Sequence, residues 1–374
     1  MLNRRALIKY TAASAAVVAA QTWPALAQDT AVADDQVQVP AYLTSVADRY
    51  SKDRRGAAME WFGQAKFGLF LHYGLYSLLG RGEWVQLRDL IHVEQYAKLK
   101  ERFTAESFDA GAICDLAVNA GCKYVNITTR HHDSFCLFKT EQTEFQSLNS
   151  LAKRDLVGEL VDACNQRGLG IFFYYSHGRD WRHPHAPNNW GWGGNARPKY
   201  KEREPFYVEG PQHDLQKYVK FMSAQITELL TQYGPVAGIW LDGHATPMSR
   251  KKKLDQWHLP ELYQQIRKTQ PQTLISYKGG VLDTEDFFAP ERKWKKKTER
   301  PVELCDTLQP HGWGHKESDN GKHKTADQVM EMLEKAQSIN ANLLLNTGPL
   351  GDGAIHAEDV ATLTEVGKRL AGKN

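Results

Sequence analysis

The 374-residue chain carries 47 Lys and Arg against 44 Asp and Glu, a formal charge of +3. That excess sits in the first 27 residues, as Arg4, Arg5 and Lys9 with no acid beside them, so the remainder is neutral and no nucleic-acid partner is expected. No later segment is apolar for long enough to span a membrane, and the length suits one large α/β barrel as well as two smaller domains.

The chain opens like an export signal. Arg4-Arg5 precede an uncharged small-residue stretch from Tyr10 to Ala20 and the cleavage pattern Ala25-Leu26-Ala27. The arginine pair fits a twin-arginine signal, with a general secretory signal as the alternative, and both imply a periplasmic or secreted protein. Residues 1–27 are assigned to the signal, 28–55 to a lead-in, and 56–374 to one catalytic domain. The five cysteines, at 114, 122, 136, 164 and 305, are odd in number and lack CxxC spacing, so free thiols are expected rather than a disulfide framework.

Short apolar runs then alternate with helical patterns. Strands are expected at Phe67-Gly-Leu-Phe-Leu-His-Tyr-Gly, Lys123-Tyr-Val-Asn-Ile-Thr-Thr, Gly170-Ile-Phe-Phe-Tyr-Tyr-Ser, Ala237-Gly-Ile-Trp-Leu-Asp and Thr273-Leu-Ile-Ser-Tyr, with later ones at Val302-Glu-Leu-Cys-Asp and Asn342-Leu-Leu-Leu-Asn. Their β-branched and aromatic content without polar alternation suits strands covered on both faces. Helices are expected over 108–120, 156–167, 215–233, 325–341 and 357–370; Gly121, Gly168 and Gly234-Pro235 supply stops for the first three. This alternation predicts an α/β fold of the (β/α)8, TIM-like barrel type. A doubly wound open sheet is the alternative, without a GxGxxG or P-loop to favour it. Two long segments, 180–210 and 292–301, read as loops over the barrel mouth, the second strongly basic.

Polar residues collect where these strands end, the place where barrels carry their chemistry. The endings are His72-Tyr73-Gly74, Arg130-His131-His132-Asp133, Tyr174-Tyr175-Ser176-His177 and Trp240-Leu241-Asp242-Gly243. Asp242, closing an apolar strand before a glycine, is a nucleophile or base candidate; alone it also reads as a helix cap. The histidines suggest zinc at first sight, but His131 and His132 are adjacent, so in extended chain they point opposite ways, and HExxH is absent. Neutral donors and acceptors for a polar ligand fit them better, so neither metal nor cofactor is expected.

Taken in order, Trp61-Phe62, Phe67-Gly-Leu-Phe-Leu-His-Tyr-Gly, Lys123-Tyr-Val-x-x-Thr-Thr-Arg-His-His-Asp-Ser-Phe, Lys153-Arg-Asp-Leu-Val-Gly, Ile239-Trp-Leu-Asp-Gly and Asn342-Leu-Leu-Leu-Asn-Thr-Gly-Pro resemble the α-L-fucosidases of glycoside hydrolase family 29. The resemblance runs from about Trp61 to Gly353. It implies a retaining mechanism on a (β/α)8-like barrel, Asp242 as nucleophile, and a fucose pocket of His72, His131 and His132 with Tyr175 and Trp240 alongside. Glu83-Trp84 resembles a step that faces the sugar, and Trp313 the aromatic on the sugar's methyl side. Two residues match family patterns for the acid/base: Glu291, which is favoured, and Glu303. The substrate implied is a fucosylated oligosaccharide or glycoconjugate; oligomeric state stays open. Two departures stand out: Lys278 where many members carry an arginine-containing segment, and an end at Asn374 without the C-terminal β-sandwich common in relatives. A related fucose-like sugar such as a galactoside, or a fucose-binding protein without catalysis, are the rival readings. The basic run around Lys295 is either a solvated loop or a contact for sulfated or uronic glycans.

Overall fold

A computed structural model describes residues 38–193, 195–293 and 299–372. The export-like segment and the basic run around Lys295 lie outside these residues. The strands are β1 (Phe67–Leu71), β2 (Tyr124–Arg130), β3 (Gly170–Ser176), β4 (Gly238–Asp242), β5 (Leu274–Ser276), β6 (Glu303–Thr307) and β7 (Asn342–Thr347). All pairings among them are parallel, in the order β5-β4-β3-β2-β1-β7-β6. This curled sheet is of the (β/α)8 type. Its edge strands, β5 and β6, are joined by residues 286–292, expected to be loop. Asp286 and Ala289 donate to the carbonyls of Ile275 and Lys278 on one side; Phe288 and Arg292 donate to those of Pro301 and Cys305 on the other. Parallel bridges Ser276–Phe287, Phe288–Val302 and Glu291–Cys305 complete the seam. Pro290, which has no N–H, and the sparse pairing explain why this segment does not read as a strand in sequence.

The principal helices are α1 (Arg54–Ala65), α2 (Ala110–Asn119), α3 (Leu156–Gln166), α4 (Leu215–Gln232), α5 (Leu259–Thr269), α6 (Ala326–Ser338) and α7 (Ala357–Ala371). Their starts follow from capping chemistry. Asp109, Asp155 and Asp214 each accept a hydrogen bond from a first-turn N–H, and Thr325 with Gln328 forms a reciprocal capping box. Helix α1 and the chain before it pack against the barrel. Tyr42, Leu43, Val46 and Tyr50 are buried with Trp61 and Phe62 against barrel-interior residues Tyr124, Phe172 and Phe287. This aromatic plug fills the end of the barrel where the strands begin. Gly170 makes room for it, since a Cβ there would lie 2.4 Å from the Trp61 ring.

From Val39 onward the chain is one compact unit. The five cysteines are free and buried, with Cys114 and Cys164 facing each other at 3.5 Å between α2 and α3. No helix among the described residues is long and apolar enough to cross a membrane.

Candidate active site

Strand alternation decides which side chains reach the barrel interior. On β4 these are Gly238, Trp240 and Asp242; β4 pairs in register with β3, placing Trp240 beside Tyr174 and Asp242 beside Ser176. Tyr174 thus faces inward, stacked on Trp240 with ring centroids 5.5 Å apart. Tyr175 does not. It points into the helix layer, where its hydroxyl donates to Gln225 Oε1 at 2.7 Å and its ring lies under the Arg130 guanidinium. The tyrosine of the site is Tyr174, one residue earlier than expected.

Asp242 is the last residue of β4, and Gly243 follows with φ +81°, a left-handed turn that favours glycine. The turn folds the Gly243 N–H back onto Asp242 Oδ1. Tyr174 donates to Oδ2 at 2.6 Å, and the Lys278 ammonium lies 2.6 Å from Oδ1. Burial alone would raise the Asp242 pKa, but the Lys278 charge and these hydrogen bonds outweigh it and hold the carboxyl well below its usual range. Lys278 also donates to Glu291 Oε1 at the end of the closing segment. Its ammonium therefore bridges the two carboxylates, which raise its own pKa against the depressing effect of burial. Two oxygens sharing one ammonium stand about 4–5 Å apart.

Three histidines close the pocket beside Asp242. His72 Nδ1 meets Asn346 Oδ1 at 2.7 Å, and the Asn346 amide nitrogen donates to Thr307 and to the Trp313 carbonyl. The Asn346 oxygen is thus the acceptor, His72 carries its proton on Nδ1, and Nε2 remains an acceptor. His132 Nδ1 meets Ser176 Oγ at 2.6 Å while that hydroxyl donates to the Arg179 carbonyl, which fixes the same tautomer. His132 Nε2 lies 3.8 Å from Asp242 Oδ2. Burial keeps all three rings neutral at ordinary pH, pushing His72 down to about 3 and His131 and His132 well below their usual value.

The expectation that His131 and His132 diverge is overturned. A register shift interrupts the β2–β3 ladder between Thr128 and Arg130, and both histidines follow the strand with ring centroids 4.1 Å apart. Together with Asp242 they offer ligand atoms within 4.8 Å of one another. The Lys278 ammonium already supplies a cation to that carboxylate.

Trp240 forms the pocket floor. Its indole N–H donates at 3.0 Å to Glu303 Oε1, and Tyr124 donates to Oε2 at 2.7 Å. Glu303 is the first residue of β6, at the opposite end of the strands from Asp242, and is fully buried beneath Trp240. Burial lifts its carboxyl to about 7, partly offset by those two hydrogen bonds. Between the two acid/base candidates, only Glu291 stands at the mouth.

Glu83 is buried and accepts the N–H groups of Trp313 and Gly314, both at 3.0 Å, so it secures the loop that lays Trp313 against His72, rings 5.4 Å apart. Trp84 meets His132 and Trp181 edge-on, and Arg179 lies over its face. Tyr174 and Ser176 stand among the polar strand endings of the sequence but have no expected place in the pocket, and Trp181 and Asn346 have no expected site role. The Asn342-Leu-Leu-Leu-Asn run does carry a signal for the last, since two Asn four residues apart on an otherwise apolar strand share one face.

The family model for α-L-fucosidase matches residues 35–374. A putative α-L-fucosidase of Caenorhabditis elegans is 27% identical over 82% of this chain and 64% of its own length. Plasma α-L-fucosidase of Rattus norvegicus is 28% identical over 82% and 67%. The chain thus spans about two thirds of the length of these relatives. Among solved structures, α-L-fucosidase isoenzyme 1 from Paenibacillus thiaminolyticus superposes with a TM-score of 0.75 at 34% identity, covering 85% of this chain and 76% of that one. The unliganded α-L-fucosidase AlfC from Lactobacillus casei gives 0.73 at 25% identity, over 85% of this chain and 100% of that one. The chain belongs to the α-L-fucosidase family of glycoside hydrolases, glycoside hydrolase family 29.

Proposed function

We propose that this protein is an exported α-L-fucosidase that releases terminal α-L-fucosyl residues from glycans with retention, Asp242 as nucleophile and Glu291 as acid/base. The observation carrying this reading is that Asp242 and Glu291 share the Lys278 ammonium at the barrel mouth. Retention needs two carboxyls about 5–5.5 Å apart, one to attack and one to protonate. A shared ammonium holds one oxygen of each carboxyl within about 5 Å of the other, which brings the two groups near that separation.

In the first step Asp242 attacks C1 as the bond from C1 to the aglycone oxygen breaks, and the proton of Glu291 passes to that oxygen. In the second, Glu291 takes a proton from water, whose oxygen attacks C1 and frees Asp242. The depressed Asp242 pKa keeps the nucleophile ionised, and neutral His72 and His132 offer bare Nε2 atoms to sugar hydroxyls. Trp240 and Trp313 give the sugar apolar faces. An AlfC mutant from Lactobacillus casei holds 4-nitrophenyl-α-L-fucopyranoside as substrate, which makes this glycoside the natural probe.

The test is nitrophenol release by the protein from Gln28 onward. Asp242→Asn is expected to abolish nearly all turnover while still binding fucose; full retained activity refutes the nucleophile. Glu291→Ala is expected to spare nitrophenyl release far more than release from oligosaccharides, whose poor leaving groups need the proton. Equal losses on both would remove Glu291 from the role. Lys278 in place of an arginine motivates a second reading, preference for another fucose-like sugar, decided by aryl fucoside against aryl galactoside rates. Binding without turnover would mark a silent fucose-binding protein. Export rests on Arg4-Arg5 and Ala25-Leu26-Ala27. It predicts a periplasmic or secreted product beginning near Gln28, and an uncleaved cytoplasmic product would contradict it.

A further inference from the structure

A second group of ligating side chains lies outside the sugar pocket, where the loop after β6 meets the start of α7. His323 directs Nδ1 to Asp359 Oδ1 at 2.6 Å, and the other Asp359 oxygen accepts from Thr347 Oγ1 at 2.6 Å. With Nδ1 committed, His323 Nε2 is the free ring nitrogen. It is buried without a hydrogen-bond partner among the described residues, on a side chain only 1% exposed. Leaving such a group unsatisfied costs about 1–3 kcal/mol. Facing it is the His356 ring, centroids 4.5 Å apart, and Glu358 Oε1 lies 3.7 Å from His356 Nδ1. One ligand atom from each of His323, His356 and Glu358 falls within 4.8 Å of the others. A third imidazole, His315, stands 6.3 Å from the His356 ring, and its Nδ1 is likewise buried without a partner among the described residues.

We propose that His323, His356 and Glu358 bind a divalent cation of the imidazole-favouring class, Zn²⁺ foremost, as a structural site. Two imidazoles and a carboxylate are a zinc donor set, with water or His315 for the fourth position. Asp359 behind His323 orients the ligand as a carboxylate behind a metal-bound histidine does. Ligands on a tetrahedral zinc stand about 3.3 Å apart, so the present spread closes by side-chain shifts of about an ångström. The competing hydrogen bonds are modest. His356 Nδ1 accepts a long 3.3 Å bond from the Glu358 N–H, and Glu358 accepts the N–H groups of Gly321 and His323 while retaining lone pairs. The ion would fasten residues 308–325 to the first turn of α7. That loop also carries Trp313, so the site would brace the sugar-facing wall without touching sugar.

The experiment is zinc titration of chelator-stripped protein from Gln28 onward, with bound metal counted by atomic spectroscopy and melting followed in parallel. One Zn²⁺ per chain and a raised Tm are expected, both lost in His356→Gln and Glu358→Gln, which are rim positions that leave the core intact. Asp359→Asn should weaken binding 10–100-fold. Folded protein that retains no zinc at micromolar free metal overturns the proposal. So does binding undiminished in both rim variants, which would assign the ion elsewhere, His131, His132 and Asp242 included.

Discussion

At the scale of single residues, Lys278 decides the electrostatics of the pocket. It sits at φ +46° and contacts both carboxylates. Removing its charge takes away the main influence opposing burial at Asp242, so the Asp242 pKa must rise. Since a nucleophile has to be ionised, Lys278→Met is expected to move the acid limb of the kcat/KM profile to higher pH; an unmoved limb would show that another group sets it. Glu303 makes a prediction of the opposite kind, about stability. An unfolded Glu ionises near 4.5, whereas folded Glu303 keeps its proton until about 7. Between those values the folded state binds more protons than the unfolded one, so stability falls as pH rises through the window and is flat on either side. The effect is on the order of 3 kcal/mol. Glu303→Gln should erase it, gaining on the wild type from pH 4.5 to 7 in denaturant melts while leaving the fold intact. A constant offset between the two would disprove the buried, protonated carboxyl. The sequence distinguishes these acids poorly because Glu303 has the inward parity of a site residue but begins its strand where Asp242 ends one. The same limit applied to Tyr174 and Tyr175: two adjacent tyrosines differ only in which face they occupy, and nothing in β3 itself marks that face.

At the scale of elements, strands with uninterrupted apolar runs and helices with Asp or Thr caps were legible because their signals are local. The closing segment at 286–292 was not, nor were helix α1, despite its Asp53 cap, and helix α5, which follows His258 without a side-chain cap. Helix α1 has Ala57, Ala58, Trp61, Phe62 and Ala65 buried but is interrupted by Gly56 and Gly63, so its apolar face is faint. The closing segment is held by long-range contacts instead. Asp286 receives Arg55 Nε at 2.7 Å and the Ile275 N–H at 2.8 Å, tying the segment to α1 and β5 together. Its side chain is 1% exposed, while Arg55 is 44% exposed, which moderates the ion pair but not the buried N–H bond. Asp286→Ala is expected to destabilise by about 2–4 kcal/mol. Because Glu291 rides on this segment, activity should fall more steeply with temperature than global unfolding does. A melt and an activity curve that stay superimposed would mean the segment does not open on its own.

Across the whole molecule, stability and chemistry occupy opposite ends of the barrel. The mouth spends buried polar groups on function: three neutral histidines, a bridged pair of carboxylates and a lysine. The other end compensates with an aromatic plug. Trp61 meets Tyr42 edge-on at 4.7 Å, lies parallel to Phe172 at 6.4 Å, and occupies the space that Gly170 leaves open. Truncating a buried Trp removes transfer energy and leaves a cavity, about 3–5 kcal/mol together. Barrels with chemistry at one face and packing at the other allow the two to be changed separately. Trp61→Ala should therefore lower Tm strongly while kcat per folded molecule at low temperature stays near the wild-type value. A matching loss of kcat in protein that remains folded would mean that the plug also sets the height of Trp240 and Asp242 above it, and that the two ends are mechanically coupled.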